Sequence, residues 1–566
     1  AARVEVVGDG RVSSLALAHS ELLVGGGSGL LLGKTRLDVT TGLPFLRVSA
    51  VASWRGTPVV AFEREGWARV GAAGAEEAVT GWGLLHVRAL LETPAGELLV
   101  GAREGLFRVA FGSDELERLD REPVRALVLG SAGAIACGGE TGLRMISGSG
   151  APATVVSTPD AWIDDLGFDG SGRLWVATPI GVAVAGVGSG STPFVHPRGG
   201  DVTRGVVIND GFVGVPIGAE AHVATLRADG TRREEITPER FRHLFLLGDS
   251  LWADGPSGLW RRDERTGWML VQKRDEASLP LPRVTALLED RGTLWAGFFD
   301  GGLARSPLAK WDASLRWAPL DGSDAWGINA LLPAGGAILA ATLHGAYRIE
   351  GARAVALEGA GGAFSLAATR SGVVVGYGQG VYFPEKRLLS AFHGLPGNQA
   401  LALSYASARD ALWVGTPSGL GRIERRRVDF RAVTGDGKLP HPWITALVDR
   451  GDSLLVATYG GGVTRRSGEG RSEAWAPFVE TSALKVNAGA MLVDPSGRIW
   501  IGTQGQGLWR SDVAQARFER LSLPLPSPDV FSLALVPRDA PEALLIGTDE
   551  GLARLPLQQL SEMTEN

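Results

Sequence analysis

Short hydrophobic segments recur along the whole chain, and glycine and polar turn residues separate them. One pattern repeats: an apolar run, a Gly or Ala, a few turn residues, a Gly, and a second short run that ends near an Arg. Runs this short, bounded by turn residues, predict β-strands rather than helices. The clearest copies are LLVGAREGLFRV (98–109), LWVGTPSGLGRI (412–423), IWIGTQGQGLWR (499–510) and LLIGTDEGLARL (544–555).

Degenerate copies of this pattern fill the intervals, which gives about fourteen units of roughly 40 residues each. That period is typical of four-stranded propeller blades, and no segment is left over for another domain. The sequence therefore predicts an all-β protein built of two tandem seven-bladed β-propellers. We place the first propeller at 1–265 and the second at 266–566.

One unit illustrates how each blade divides into strands A to D, counted outward from the ring axis. Small and β-branched residues in strand A suit a crowded centre, and the apolar run of strand B suits a strand that neighbouring blades cover on both sides. The four predicted strands of this unit are Val284–Asp290, Thr293–Phe299, Gly302–Ser306 and Leu315–Pro319.

The ends of each ring need a closing strand, because an open propeller would leave a sheet edge unpaired. The last unit stops after its C strand near Leu555, and RVEVV (3–7) looks like an isolated D strand. In a self-contained arrangement, 3–7 completes the seventh blade and WMLVQ (268–272) passes to the second ring. In a crossed arrangement, WMLVQ stays with its local blade and 3–7 closes the second ring. Short connections favour the self-contained arrangement.

Glycines between strands B and C, such as Gly302, Gly419 and Gly507, predict positive φ or close backbone approach in a tight turn. The tryptophans of the B strands are expected to pack between blades rather than to bind a ligand. They are Trp175, Trp252, Trp295, Trp413 and Trp500.

Composition supports a folded protein and argues against several partners. The chain is 45% hydrophobic with 80 glycines, so glycine punctuates apolar segments. The net charge is −6 without a basic stripe, which argues against nucleic acid. No apolar run is long enough to span a membrane. The chain begins AARVEVV without Met, which suggests a removed leader and a periplasmic or extracellular location, with a cytoplasmic one as the alternative.

With these units in view, the chain resembles the two-component regulator propeller family. The resemblance is carried by GLPGNQALALSYASARDALWVGTPSGLGRIE (394–424) and PRVTALLEDRGTLWAGFFDGGLARS (282–306). It implies paired seven-bladed propellers of the kind found in periplasmic sensor regions, associated with carbohydrate detection. The chain shows no kinase, transmembrane helix or DNA-binding helices, so ligand or partner binding is what the resemblance implies here.

Catalytic and metal signatures are missing from the sequence. The eight histidines have no metal-ligand spacing, and the single cysteine, Cys137, has no partnered motif. No GxSxG motif is present. DPSGRIW (494–500) places its Asp one residue too far from the Trp for a sialidase-type Asp box and is interpreted as an A-to-B turn. We therefore expect no catalytic residues, no metal and no cofactor.

Ligand binding is expected where the B-to-C and D-to-A loops converge around the central funnel. The first ring carries charged tips there, including Glu63, Arg64 and Glu65, whereas the second ring is richer in aromatic and amide side chains. That mixture stacks on sugar rings and hydrogen-bonds hydroxyls, and it also suits protein contacts. The candidate ligand-binding residues are Phe299, Asp300, Trp326, Asn329, His344, Tyr377, Trp443, Tyr459, Asn487 and Gln504.

Three functions follow from the sequence. The first is an exported, non-catalytic sensor-type propeller pair that recognises a ligand, such as a glycan, and acts through a separate partner. The second is a scaffold subunit of a larger bacterial assembly. The third is a propeller polysaccharide lyase or hydrolase.

Overall fold

Antiparallel sheets account for nearly all the regular structure of this computed structural model. It describes every residue except 1–3, 19–20, 63–65, 72–73, 80–84, 112, 114, 131–132, 147–153, 157, 159, 161, 187–200, 217–219, 248, 276, 300, 309–314, 360, 436 and 559–566. The all-β fold predicted from the sequence is confirmed. Two compact units are present: a first ring, Gly10–Asp275, and a second ring, formed by Ala1–Asp9 and Glu276–Asn566.

The first ring contains seven sheets within its described residues, each a meander of strands in sequence order, one of them three-stranded. The innermost strands of successive sheets contact each other, and those of the first and last sheets close the circle. The first strand of the chain, β1 (Glu5–Val7), belongs to the second ring. The strands of the first ring, sheet by sheet, are β2 (Val12–Ala18), β3 (Glu21–Gly26), β4 (Gly29–Leu32), β5 (Thr35–Leu37); β6 (Val48–Trp54), β7 (Thr57–Phe62), β8 (Trp67–Gly71), β9 (Gly74–Val79); β10 (Val87–Glu92), β11 (Leu98–Ala102), β12 (Gly105–Val109), β13 (Glu117–Asp120); β14 (Ala126–Leu129), β15 (Ile135–Gly139), β16 (Gly142–Ile146), β17 (Thr154–Val156); β18 (Asp165–Phe168), β19 (Arg173–Thr178), β20 (Gly181–Gly186); β21 (Val202–Ile208), β22 (Gly211–Pro216), β23 (His222–Arg227), β24 (Arg232–Ile236); and β25 (His243–Leu247), β26 (Ser250–Gly255), β27 (Gly258–Asp263), β28 (Gly267–Lys273).

The second ring also contains seven sheets within its described residues, and its innermost strands close a circle in the same way. Its remaining strands are β29 (Val284–Asp290), β30 (Thr293–Phe298), β31 (Leu303–Pro307), β32 (Ala318–Pro319); β33 (Ile328–Ala334), β34 (Ala337–Thr342), β35 (Gly345–Glu350), β36 (Arg353–Ala356); β37 (Ala363–Thr369), β38 (Gly372–Tyr377), β39 (Gly380–Phe383), β40 (Arg387–Leu389); β41 (Ala402–Ala406), β42 (Ala411–Thr416), β43 (Gly419–Glu424), β44 (Arg427–Ala432); β45 (Ile444–Asp449), β46 (Ser453–Thr458), β47 (Gly462–Ser467), β48 (Ala474–Pro477); β49 (Val486–Val493), β50 (Ile499–Thr503), β51 (Leu508–Ser511), β52 (Phe518–Arg520); and β53 (Val530–Val536), β54 (Ala543–Thr548), β55 (Leu552–Pro556).

Closure of the second ring differs from the arrangement that short connections favoured. β1 pairs with β55, with Val6 opposite Ala553, so the N-terminal strand completes the last blade. β28, which contains WMLVQ, stays beside β27 in the first ring. The self-contained arrangement is therefore wrong, and the unit boundary lies at Asp275 rather than at residue 265. In this crossed arrangement the last sheet of each ring has four strands: β25 to β28 in the first ring, and β53, β54, β55 and β1 in the second.

The recurring Trp and Arg of the repeat are cross-strand partners. Trp413 on β42 lies opposite Arg422 on β43, and the guanidinium carbon is 5.3 Å from the indole centroid. Trp295 with Arg305 and Trp500 with Arg510 repeat this pairing. Each guanidinium covers an indole face by a cation–π contact. This explains why the sequence repeat places a Trp in strand B and an Arg near the end of strand C.

Packing between blades buries the B-strand tryptophans, as predicted. Trp500 contacts Val530 and Leu544 of the next sheet in one hydrophobic cluster. The Asp of DPSGRIW lies in the turn between strands A and B of its blade, as predicted. Its side chain supports the packing of the tryptophan, because Asp494 Oδ2 accepts a hydrogen bond from Trp500 Nε1 at 2.9 Å. Asp169 and Trp175 repeat this bond at 2.9 Å in the first ring.

The B-to-C glycines adopt the conformation that the repeat predicts. Gly302, Gly419 and Gly507 have φ values of 80°, 141° and 74°. At Gly419, an added Cβ would also collide with the carbonyl oxygen of Ala432. A side chain is therefore excluded there by both backbone conformation and space.

Helical structure is minor in the described part of the chain. Single-turn 3-10 helices occur at Ala391–His393, Gly470–Ser472 and Val479–Thr481. Among the described residues, no helix has the length and apolar character needed to cross a lipid bilayer.

Candidate functional site

A β-bulge at the start of the inner strands places one residue of each blade in the wall of the second ring's central funnel. In β29 the register shifts between Val284 and Ala286, which leaves Thr285 as the extra residue. Comparable shifts occur in five other inner strands of this ring. Bulges re-aim side chains locally. The wall positions reached in this way, together with Leu401 in the remaining blade, are Thr285, Asn329, Phe364, Leu401, Thr445, Asn487 and Phe531.

These residues surround a cavity of about 450 Å³ at the end of the funnel where the B-to-C loops lie. Its deeper wall is apolar, and its upper wall carries hydroxyl, amide and aromatic groups. The deeper residues are Leu366, Leu403, Leu447 and Met491. A small polar rim above an apolar floor is typical of pockets for small organic ligands.

An aromatic platform, defined here as Trp443 and Tyr459, lies at the mouth of this cavity. The two ring centroids are 5.0 Å apart, and Trp443 is 42% exposed. The backbone fixes the pair, because Tyr459 N donates to Trp443 O at 2.9 Å. The Tyr459 hydroxyl donates to Gln504 Oε1, and the ammonium of Lys485 lies 5.6 Å from the tyrosine centroid. The platform therefore offers a partly exposed indole on an immobilised support.

A second aromatic group faces the cavity from the first blade of this ring. Phe299 is exposed, and the guanidinium of Arg283 lies 5.3 Å from its centroid. Arg283 also forms an ion pair with Asp549. The charge of the single arginine in the described cavity wall is thus balanced by a neighbouring carboxylate.

Strand β49 carries an enlarged bulge, in which the register jumps from Val486 to Met491. Ala488 and Gly489 are exposed in the cavity wall, and Gly489 has a φ of 73°. That left-handed backbone favours glycine. The bulge therefore lines the funnel with backbone and small side chains rather than with a bulky group.

The two predicted asparagines have structural partners as well as places in the wall. Asn329 Nδ2 donates to Ala363 O, and Asn487 Nδ2 donates to Val530 O, each at 2.7 Å. Thr285 Oγ1 makes the corresponding bond to Ile328 O at 2.5 Å. Each bond joins the inner strand of one blade to that of the next, so these side chains tie adjacent blades together around the funnel.

Thr445 occupies the same position in its blade but makes no such bond. Its hydroxyl is buried without a hydrogen-bond partner among the described residues, and the residue is 3% exposed. A buried hydroxyl without a partner costs free energy. Thr445 therefore differs from Thr285 in leaving its hydroxyl unsatisfied behind the cavity wall.

The predicted site residues separate into two groups. The cavity wall contains Phe299, Asn329, Trp443, Tyr459 and Asn487, and Gln504 contacts the platform. Asp300 lies outside the described residues.

The structure places Trp326, Tyr377 and His344 outside the described cavity wall. Trp326 is 8% exposed and stacks on Tyr347 at 4.0 Å between centroids. Tyr377 is buried, donates its hydroxyl to Glu358 O at 3.0 Å, and has its pKa raised to about 12 mainly by burial. His344 is exposed, and its backbone N–H donates to Thr342 Oγ1 at 3.0 Å. Trp326 and Tyr377 therefore have packing roles.

Sequence reasoning missed Phe364, Thr445, Phe531 and Arg283 in this wall. A local signal identifies the first three: each follows a buried Val, Ile or Ala and precedes an Ala or Ser at the start of strand A. In this ring the pattern occurs as VTA (284–286), INA (328–330), AFS (363–365), ALA (400–402), ITA (444–446), VNA (486–488) and VFS (530–532).

The first ring's funnel is charged where the second ring's is neutral. Its cavity of about 980 Å³ has five arginines and one aspartate in the described wall: Arg11, Arg125, Arg204, Arg240, Arg242 and Asp164. The predicted charged tips Glu63, Arg64 and Glu65 lie outside the described residues.

The pKa values of two titratable groups beside this funnel are strongly shifted. Burial, and next the nearby Asp164, raise the pKa of Asp165 to about 7, against a backbone hydrogen bond from Gly205 that lowers it. Burial and the guanidiniums of Arg204 and Arg125 lower the pKa of His243 to about 4. At neutral pH His243 is therefore uncharged, and Asp165 titrates.

We expect Asp165→Asn to stabilise the first ring increasingly as pH rises from about 4 to about 7. An acid whose folded pKa is raised contributes stability below its unfolded pKa and loses that contribution as pH rises through the folded pKa. Asparagine does not titrate, and its side-chain oxygen can still accept the Gly205 N–H. Urea midpoints of both proteins between pH 4.5 and 8 check this. A difference that is constant across this range would contradict the shift, because His243 titrates equally in both proteins.

The described residues include His, Cys, Asp and Glu side chains, which are the usual protein ligands of metal ions. No cluster of three or more His, Cys, Asp or Glu side chains that could hold a metal ion occurs there. Cys137 is buried, and burial raises the pKa of its thiol to about 11.

Comparison with known proteins rests on structure. No family model matches the chain, and no curated protein is similar to it in sequence. PorZ, a bacterial surface component of the type-IX secretion system of Porphyromonas gingivalis, is similar over 99% of this chain and 88% of its own, with 14% identity and a TM-score of 0.64. The GH74 xyloglucanase of Xanthomonas campestris is similar over 98% of this chain and 99% of its own, with 12% identity and a TM-score of 0.61.

The solved structures that are similar to this chain also include part of a signalling protein. The extracellular domain of a putative hybrid two component system from B. thetaiotaomicron is similar over 100% of this chain and 84% of its own, with 13% identity and a TM-score of 0.44. At these identities, the similarities to PorZ and to the xyloglucanase establish the fold alone.

Proposed function

We propose that the second ring binds a neutral saccharide in its funnel and that the protein is an exported, non-catalytic recognition module acting through a separate partner. The observation that carries this proposal is the Trp443–Tyr459 platform above a cavity of about 450 Å³. An exposed indole stacks on the apolar face of a pyranose ring, while amides and hydroxyls below it bond to sugar hydroxyls.

The polar groups of the wall favour an uncharged ligand. Arg283 is already paired with Asp549, and the other described polar side chains in the wall are hydroxyls and amides. Neutral hydrogen-bonding groups at fixed positions give specificity without attracting counter-ions.

The described wall supports binding rather than hydrolysis. Most glycosidases use a pair of carboxyl groups that flank the scissile bond. No Asp or Glu belongs to the cavity wall among the described residues. The similarity to a GH74 xyloglucanase extends to the fold, so it adds no catalytic group to this funnel.

A scaffold role in a bacterial assembly is the second candidate. It is supported by the similarity to PorZ over 99% of this chain, since PorZ is a surface component of a secretion system. Affinity purification at native expression distinguishes the two roles, because a scaffold is recovered with stoichiometric partners. Recovery of the chain alone would count against the scaffold.

We expect Trp443→Ala to weaken saccharide binding about tenfold or more, because the stacking surface is lost. Binding is measured by calorimetry with a neutral oligosaccharide selected by glycan array. Phe392→Ala is the matched control, since Phe392 is almost fully exposed in the same ring and lies outside the cavity wall. Tyr459→Phe keeps the ring but removes the bond to Gln504, so we expect a smaller loss.

Two outcomes would sink the proposal. One is the failure of any neutral glycan on the array to bind the wild-type chain. The other is an affinity that Trp443→Ala leaves unchanged or that Phe392→Ala lowers equally.

A further inference from the structure

The funnel of the first ring concentrates positive charge within its described wall. Arg125 and Arg204 approach the same carboxylate oxygen, Asp164 Oδ1, at 3.3 Å and 3.9 Å. Trp162 Nε1 also donates to that oxygen, at 3.2 Å. Asp164 is thus shared by two guanidiniums and an indole, and Asp165, which is partly protonated near neutral pH, offsets the second positive charge only in part.

The arginines come from different blades, so their convergence is a property of the ring. Arg125 precedes β14, Arg204 belongs to β21, and Arg242 precedes β25. Arg125 and Arg242 occupy the wall position that Thr285 and Asn329 occupy in the second ring. At this wall position the described blades of the second ring carry uncharged side chains, whereas more than one blade of the first ring carries an arginine.

The electrostatic effect is visible in neighbouring groups. Burial first, and then Arg204 and Arg88, lower the pKa of Arg125, against the opposing effect of Asp164. The cations also oppose protonation of His243. Like charges held together in a concave wall of low dielectric constant focus a positive potential that a bound anion would relieve.

A planar platform lies beside these charges. The guanidinium of Arg125 stacks on Trp162, with its central carbon 5.3 Å from the indole centroid. Stacking pre-orients the guanidinium and leaves its N–H groups along the edge of the plane. That geometry suits two-point binding of a carboxylate, phosphate or sulfate group.

We propose that the first ring's funnel is a binding site for a multiply charged oxyanion, held by Arg125 and Arg204 beside Trp162. The shared chemistry is a cluster of acidic oxygens, which uronate, phosphate and sulfate groups all provide. The site is separate from the saccharide funnel of the second ring and does not depend on the function proposed there.

Calorimetry on the full chain at low ionic strength tests this site with three probes: trigalacturonate, inorganic pyrophosphate and a sulfated disaccharide. We expect at least one to bind saturably, and the strongest to identify the acidic group. Arg204→Gln and Arg125→Gln should each weaken that binding about tenfold or more, because a charge-assisted hydrogen bond is lost. Raising the salt concentration should weaken binding further.

Arg233→Gln is the matched control, since Arg233 is exposed on the outer strand β24. This substitution changes the net charge of the protein by the same amount as Arg204→Gln. Arg204→Lys should restore part of the affinity, and circular dichroism should be unchanged in all variants. Trp443→Ala should leave anion binding intact. Absence of saturable binding for all three probes would overturn the proposal. An equal loss in Arg233→Gln and Arg204→Gln would also overturn it.

Discussion

Removal of residues 1–7 should destabilise the second ring by about 2–5 kcal/mol, because a fully buried valine contributes about 1.5–3 kcal/mol and a partly buried valine contributes less. Val4 is 3% exposed, and Val6 packs against the same hydrophobic cluster of the last blade. The deletion also exposes the edge of β55, which β1 covers with a three-residue ladder. Urea denaturation followed by intrinsic fluorescence measures the loss.

The location of the effect tests the crossed closure directly. Hydrogen exchange should rise in β53, β54 and β55, which form one sheet with β1, and should stay unchanged in β25 to β28 of the first ring. Increased exchange in β25 to β28 instead would contradict the observed pairing. Glu5→Gln is the mild control, because it removes only the partly exposed ion pair with Arg554, which is worth less than about 1 kcal/mol.

Replacing Trp500 with alanine should cost the second ring about 3–5 kcal/mol, the usual range for deletion of a buried tryptophan. Trp500 is 1% exposed, contacts the next blade, and donates to Asp494 across the A-to-B turn. The change therefore creates a cavity and removes a hydrogen bond from Asp494. Trp500→Phe should cost less, because it keeps much of the packing surface, although it loses the indole N–H and leaves a smaller cavity.

Trp443→Ala provides the internal comparison for this stability measurement. The same substitution at an exposed indole should leave the urea midpoint nearly unchanged, even though it weakens ligand binding. Equal destabilisation by Trp443→Ala and Trp500→Ala would contradict the division between platform and packing tryptophans.

The candidate site could be predicted in part from the sequence. Phe299, Trp443 and Tyr459 belong to loops whose place at the funnel mouth follows from the blade pattern. Trp326 lies two residues before strand A, whereas Trp443 lies one residue before it, and Trp326 stacks on Tyr347. This offset of one residue separates the two tryptophans only once the start of each strand is known.

Phe364 and Phe531 show a second limit. Alternation along a strand predicts which residues share a face, but a bulge adds one residue and changes which side chain reaches the funnel. The repeated pattern around positions 285, 329 and 445 contains this information once the bulge is known. Without it, these residues look like ordinary members of an apolar strand.

By itself, the sequence determined the blade, because strands A to D are close in the chain and their apolar runs, glycines and Trp–Arg pairs are local signals. Strands β29, β30 and β31 match the predicted strands to within one residue, whereas β32 is shorter than the predicted strand D. Only the tertiary structure decided how the second ring closes. The edge beside β55 accepts any short apolar strand, and the pairing with β1 joins Glu5 to Arg554 across nearly the whole chain. The sequence predicted a charged rim for the first ring, but only the tertiary structure decided which charged residues line its funnel, since these come from separate blades that meet around one axis.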